Sequence, residues 1–289
     1  MKHFNSLVGV PILVCLLLSS CFGPGPAPQK LRVKTFEWDN ILYYAQYDSY
    51  GTLTKLKGTD RDVNFFYDEN VKLYEATITI HGVAIPDRRY TYSHGPWGIT
   101  EIKEYGHVLI DDQLHIERIT QLDFLTPTKL STITQLEMYE DEDGNPVVGF
   151  TLKRNVVYNG NNVTRIVTEP PPFADYSVSA YDNKANPFMV LAEAVNNPAF
   201  FPVGLFANFP NLVLKYNIPV ITIFSQNNPL HAIYEIFDVQ TFTYTYENKL
   251  VKKIIWKALL HDTGPADIRT FKFDYEWARC VPKEHHGQR

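Results

Sequence analysis

Cysteine is scarce in this chain: three occur among 289 residues, Cys15, Cys21 and Cys280. No paired Cys-x-x-Cys is present, and no Gly-x-Ser-x-Gly elbow, His-Glu-x-x-His pair, Walker loop or dinucleotide glycine fingerprint. The familiar hydrolase, metalloprotease and nucleotide-dependent classes therefore lose their sequence signatures. Basic residues are in deficit, 27 against 32 acidic, and no Lys/Arg stripe appears, which does not suit a nucleic-acid binder. Long apolar runs are missing except for residues 7–18. That run is too short for a ~30 Å hydrocarbon core, which takes ~20 apolar residues as a helix.

The same run suits the core of a secretory leader, since Met1-Lys2-His3 supplies a basic start. Leu18-Ser19-Ser20-Cys21 follows, an apolar residue and two small ones before a cysteine, which has the form of a bacterial lipobox. The small side chains let extended backbone enter a peptidase cleft, and the thiol accepts a diacylglycerol. Residues 1–20 are thus expected to be a lipoprotein signal peptide, with Cys21 as the lipid attachment site. Residues 21–30, with Gly23-Pro24-Gly25-Pro26-Ala27-Pro28, read as a flexible tether. Removing Lys2 leaves 26 basic against 32 acidic residues, a mature net charge of −6. Cys280 is then the sole thiol, which excludes an intramolecular disulfide; it reads as a small half-buried side chain near the end of the last strand.

What the chain has in quantity is aromatics, 18 Tyr and 18 Phe, which fit a pleated, half-buried surface. Many tyrosines stand at a recurring turn. Tyr47-Asp48-Ser49-Tyr50-Gly51-Thr52-Leu53 is the fullest copy, and Tyr67-Asp68-Glu69-Asn70-Val71-Lys72-Leu73 comes twenty residues later. Further copies start at Tyr92, Tyr139, Tyr158, Tyr181 and Tyr246, several at intervals of 19 to 25 residues. A period of this size signals stacked supersecondary units. In each unit a strand ends on tyrosine, and Asp, Asn or Gly supplies the positive φ and local hydrogen bonds of a tight turn. Phe271, Phe273, Tyr275 and Trp277 alternate with Lys272, Asp274 and Glu276, which gives one aromatic and one polar face. These patterns predict a mainly β domain over 31–280: an antiparallel sheet of repeated hairpins, curved or partly closed because a long open sheet must curl.

The Tyr-Asp-x-x-Gly-x-Leu turn resembles the YD repeats that build curled β sheets in shell-like bacterial toxins. Tyr181-Asp182-Asn183-Lys184-Ala185-Asn186-Pro187-Phe188, with Asn227-Asn228-Pro229, is similar to a group of Bacteroidota lipoproteins of unknown function. The resemblance covers most of 31–280 and implies a hairpin fold and an outer-membrane location, on either face, and no catalytic residue. The chain departs from the pattern in two copies: Tyr67 to Leu73 lacks the glycine, and Tyr246 to Leu250 is shortened. The toxins' self-cleaving Asp-Pro is missing.

Residues 188–230 break the pattern, with Phe200, Phe201, Leu205, Phe206 and Phe209 among prolines. They read as a short helical or irregular apolar cap insertion over the aromatic face, or as the wall of a cavity for a greasy ligand. Residues 281–289 read as a polar tail. His107, Asp111, Asp112, His115 and Glu117 form the densest His/acid group, with His115 and Glu117 expected on one strand face; a solvated face is a commoner fate than a metal site. Glu140 to Asn145 lacks the first and twelfth ligands of an EF-hand, since Tyr139 and Phe150 stand there, and reads as a hairpin turn. Trp38, Trp97 and Trp256 would offer sugar-stacking platforms if exposed. No metal or cofactor is expected. Two functional readings follow: a non-catalytic envelope lipoprotein that binds or scaffolds a partner protein, glycan or apolar ligand, and a hydrolase or lyase whose His, Asp and Glu converge only in three dimensions.

Overall fold

The computed structural model describes residues 29–38, 41–83, 85–107, 114–170, 175–187, 225–234, 238–259 and 267–279. The expected leader, the expected lipid-attachment residue Cys21, most of the expected tether, most of the cap insertion and the expected polar tail lie outside them. Among the described residues there are sixteen strands: β1 (Gln29–Trp38), β2 (Ile41–Tyr47), β3 (Leu53–Lys57), β4 (Arg61–Tyr67), β5 (Leu73–Ile80), β6 (Arg88–Gly95), β7 (Gly98–His107) and β8 (Leu114–Thr126), then β9 (Lys129–Glu140), β10 (Pro146–Asn159), β11 (Asn162–Glu169), β12 (Tyr176–Ala185), β13 (Asn227–Tyr234), β14 (Asp238–Glu247), β15 (Leu250–Leu259) and β16 (Asp267–Arg279). Each strand pairs antiparallel with its sequence neighbours, and β1 pairs with β16, so the sheet closes into a barrel. The curved sheet expected from the sequence is this closed ring.

One end carries mostly tight turns (β2–β3, β4–β5, β6–β7, β8–β9, β10–β11 and β14–β15), and the other carries mostly longer loops. Two of these turns, β2–β3 and β4–β5, are built alike. Asp48 Oδ1 accepts the amides of Tyr50 and Thr52 at 2.9 and 2.8 Å. Asp68 does the same for Asn70 and Lys72 at 2.9 and 2.8 Å. The residue three places after the aspartate has positive φ, +83° at Gly51 and +62° at Val71. A register shift then falls beside the turn, between Gln46 and Tyr47, Phe66 and Tyr67, Ser93 and His94, Val157 and Tyr158, and Thr245 and Tyr246. Bulges raise local twist, and repeating them at one end of successive hairpins helps to curl the sheet toward closure.

At or near this end, an aromatic side chain on an even-numbered strand ties it to the preceding strand. Tyr47, Tyr67, Tyr244 and Tyr275 hydroxyls donate to the carbonyls of Val33, Leu53, Pro229 and Val251 at 2.6, 2.6, 2.7 and 2.8 Å. Tyr181 donates to Val163 O, Tyr158 accepts the Leu130 amide at 3.2 Å, and His94 Nε2 meets Leu73 O at 2.6 Å. Seven of the eight even-numbered strands thus bear a clasp; β8 has Phe124, packed against the core. Two of the sequence copies behave otherwise. Tyr139 lies at the loop end, where Asp141 accepts the Asp143 and Asn145 amides at 3.0 and 2.8 Å. Tyr246 donates to Asp182 and leaves the carbonyl clasp to Tyr244.

The two faces of the wall differ in polarity. Val33, Phe36, Leu53, Val63, Phe65, Tyr90, Ile133, Ile166, Trp256, Phe271 and Phe273 belong to one buried inner cluster. The strand neighbours of these residues face out and carry ion pairs, such as Lys55–Asp62 at 2.6 Å, Arg89–Glu75 at 2.7 Å, Lys272–Glu37 at 2.5 Å and Lys252–Asp274 at 2.7 Å. Sixteen strands are enough to enclose an aqueous channel, yet these inward side chains are excluded from solvent. At the tight-turn end, the chain leaves the described structure after Pro187 and returns at Ser225. Its base is stapled there: Asn186 Nδ2 donates to Ser225 O at 3.2 Å, Val163 N to Ser225 Oγ at 3.0 Å, and Asn228 N to Asp182 Oδ1 at 3.1 Å.

Candidate functional site

The apolar lining is interrupted toward the loop end, on the arc from β6 to β10. Cross-strand register places Tyr90, Glu104, Arg118 and Glu137 opposite one another in a row over four strands. Arg118 donates to Glu104 Oε2 at 3.1 Å and to Glu137 Oε1 at 2.6 Å, while the Tyr90 hydroxyl lies 3.4 Å from Glu104 Oε1. A second row, Arg88–Gly106–His115, lies nearer the rim. There Arg88 of β6 pairs with Glu117 of β8 directly across Gly106, where a Cβ would collide with both side chains. Deeper in, Arg154 donates to Gln135. Across the barrel wall, Gln240 Oε1 accepts both the Tyr176 hydroxyl at 2.7 Å and Trp256 Nε1 at 3.2 Å.

Burial grades along this cluster. The Glu104 side chain is 7 % exposed and that of Glu117 40 %, so a buried ionic floor rises to a wet rim. Desolvation pushes the Glu104 carboxyl above its ordinary range, and Arg118 and Arg88 counter it in part. Burial pushes the Tyr90 phenol well up as well. Such shifts mark functional sites and structural ion networks alike. Geometry favours the network here, because Glu104, Glu117 and Glu137 each face an arginine and Glu104 is closed off from water.

The residues singled out in the sequence are placed as follows. Cys21, Leu18, Ser19, Ser20, Cys280, Asp111 and Asp112 lie outside the described residues. His107 ends β7, opposite Leu114. His115 pairs with Glu140, whereas Glu117 pairs with Arg88, and the register shift between Glu104 and Tyr105 separates them from simple alternation. Among the described residues, no group of three or more His, Cys, Asp or Glu is arranged to hold a metal ion. Glu140 to Asn145 forms a hairpin turn with Gly144 at φ +80°. Trp256 is fully buried and therefore no stacking platform, while Trp97 is exposed. Sequence reading missed Arg88, Glu104, Arg118, Glu137, Arg154 and Gln240. The available signal was a polar residue at an inward position, such as Glu104 two residues after Ile102 or Gln135 two after Ile133.

No protein-family model and no curated protein matches the chain. Solved structures do. A porin-like protein from Bacteroides uniformis is 15% identical with a TM-score of 0.50, covering 87% of this chain and 99% of that one. A porin-like protein from Bacteroides vulgatus is 11% identical with a TM-score of 0.51, covering 86% and 99%. At this identity the likeness extends to the fold.

Proposed function

We propose that this chain is a lipid-anchored envelope lipoprotein whose barrel works in water beside the outer membrane, as a non-catalytic binding or scaffold domain. The polarity of the wall carries the reading. A membrane-spanning barrel needs an apolar outer band about 25 Å tall and a polar lumen. Here the outer face carries Lys, Arg, Asp and Glu in ion pairs, and the inner face carries Phe, Tyr, Leu, Ile and Val. The porin-like likeness therefore supports the barrel topology and an envelope setting without supporting conduction. Leu18-Ser19-Ser20-Cys21 supplies the membrane attachment that such a wall cannot.

Intact-mass measurement on protein extracted from its own membranes tests the anchor, with native mass spectrometry of the same sample for ligands. The expected mass is that of a chain starting at an acylated Cys21; an unmodified chain, released without detergent, would overturn the reading. The graded Arg/Glu mouth at the loop end is where a polar partner or glycan would meet the barrel. The same convergence is the one observation in favour of a hydrolase or lyase. If that reading holds, Glu104→Gln abolishes turnover of a glycan or ester substrate while leaving its binding intact.

A further inference from the structure

The two ends of the barrel differ in the tryptophan they present, and the first described strand starts at one of them. β1 begins at Gln29 on the tight-turn end, where Leu31 pairs with Trp277 of β16. The two tryptophans that are exposed among the described side chains sit there: Trp277, 64 % exposed, and Trp97, 49 % exposed, in the β6–β7 turn. Tyr50, Phe66, Tyr74 and Leu125 are also exposed at that end, on an arc running from β16 through β2 to β8. The loop end exposes Tyr139 and the aliphatic Val83, Ile85, Val148 and Ile268, beside the acidic tip Glu140-Asp141-Glu142-Asp143. Both ends carry acidic turns, since Asp48, Asp68 and Glu69 stand at the tight-turn end. Tryptophan and tyrosine favour the headgroup layer, where a ring can be half apolar and half wet, so the end that concentrates exposed tryptophan is the one suited to lipid.

We infer that the tight-turn end is a membrane-contact surface, its aromatic arc resting in the headgroup layer of the leaflet that holds the Cys21 lipid. This rests on the lipoprotein reading above. Chain length supports it independently of side-chain chemistry. Cys21 and Gln29 are eight residues apart, which spans at most about 28 Å when extended and about 16 Å as a flexible coil. The longer strands, such as the 13-residue β8, give a barrel roughly 33 Å tall at the usual rise and tilt. An upright barrel therefore holds its tight-turn end against the leaflet and its loop end a barrel's height away. The occupant is the lipid surface itself.

The test uses the acylated full chain, reconstituted in phosphatidylethanolamine/phosphatidylglycerol vesicles with brominated acyl chains, which quench tryptophan emission only near the bilayer. Native protein is expected to be quenched. The Trp97→Ser/Trp277→Ser double variant, changed at two exposed positions, is expected to lose most of that quenching while keeping its unfolding temperature. Trp38 and Trp256 remain in both proteins and give the background. An acylated protein with unquenched Trp97 and Trp277 overturns the contact and leaves the anchor standing. The same two residues covered by a co-purified protein would overturn it as well. An unmodified Cys21 in the mass spectrum overturns the anchor, and the contact with it.

Discussion

At Val71 the chain holds a β-branched residue at φ +62°, in the place where the equivalent turns have Gly51 and Gly144. Left-handed backbone crowds a branched Cβ and costs on the order of 1–3 kcal/mol. Val71→Gly is therefore expected to raise unfolding stability by about 1 kcal/mol, read as a shift of the urea midpoint at constant slope. A lower midpoint would mean that the valine side chain contributes more than its backbone costs. The clasps make the opposite prediction. Tyr67→Phe keeps the ring and removes one hydroxyl-to-carbonyl bond, so it should cost about 1 kcal/mol. The Tyr-Asp turns at Tyr47, Tyr67, Tyr158 and Tyr181 are legible in the sequence because a turn residue follows each tyrosine. Tyr275 is not, since Glu276 and Trp277 follow and its carbonyl partner, Val251, is 24 residues away.

Between elements, the seams of the barrel are unequal. β11 and β12 share two register pairs, Arg165↔Ser177 and Ile166↔Tyr176, where β9 and β10 share nine. Asp175 reinforces the short seam by pairing with Arg165 and accepting the Thr168 amide at 3.1 Å. Local opening starts where few bonds hold a segment. Amide exchange is thus expected to be faster along the β11–β12 seam than along β9–β10; equal protection would show that the barrel opens only as a whole. The Glu104–Arg118 row links β6 to β9 and carries a pH signature. A buried carboxyl with a raised folded pKa stabilises fully below its unfolded value, and that contribution fades as pH rises through the folded one. The native protein should gain stability relative to Glu104→Gln as pH falls through the raised folded value toward the ordinary glutamate range near about 4. A flat difference would place Glu104 in a wetter site. This row was not legible because its spacing lies across strands; a single bulge decides which residue of β8 faces Glu104.

For the whole molecule, closure of the ring was open in the sequence, because strand alternation specifies a packed face without saying which strands meet last. The packed aromatic face was legible, since Phe271, Phe273 and Tyr275 alternate with Lys272 and Asp274 and line the core, whereas Trp277, expected in the same set, is exposed near the strand's end. Burial of so many phenols makes the barrel sensitive to base. Tyr43 and Tyr181 are each pushed by desolvation up to about 12. Unfolded phenols ionise near about 10, so the stability they confer is intact below that pH and is lost as pH climbs toward their folded values. Tyrosinate absorbance is expected to lag the free-tyrosine curve and then rise together with loss of β-sheet circular dichroism. A simple titration near 10 with the sheet intact would contradict this.

The β1–β16 closure also sets an order of events. Thr35 meets Asp274 across 239 residues, so the first strand made waits for the last one made. On the lipoprotein reading proposed above, a chain exported from its N-terminus is held at the membrane while the fourteen described strands between β1 and its partner are still to form. Until β16 arrives, both margins of the sheet are bare hydrogen-bonding edges, the kind that recruit strands from other chains. Loss of the final thirteen-residue strand would therefore make a tethered, aggregation-prone sheet rather than a slightly smaller barrel.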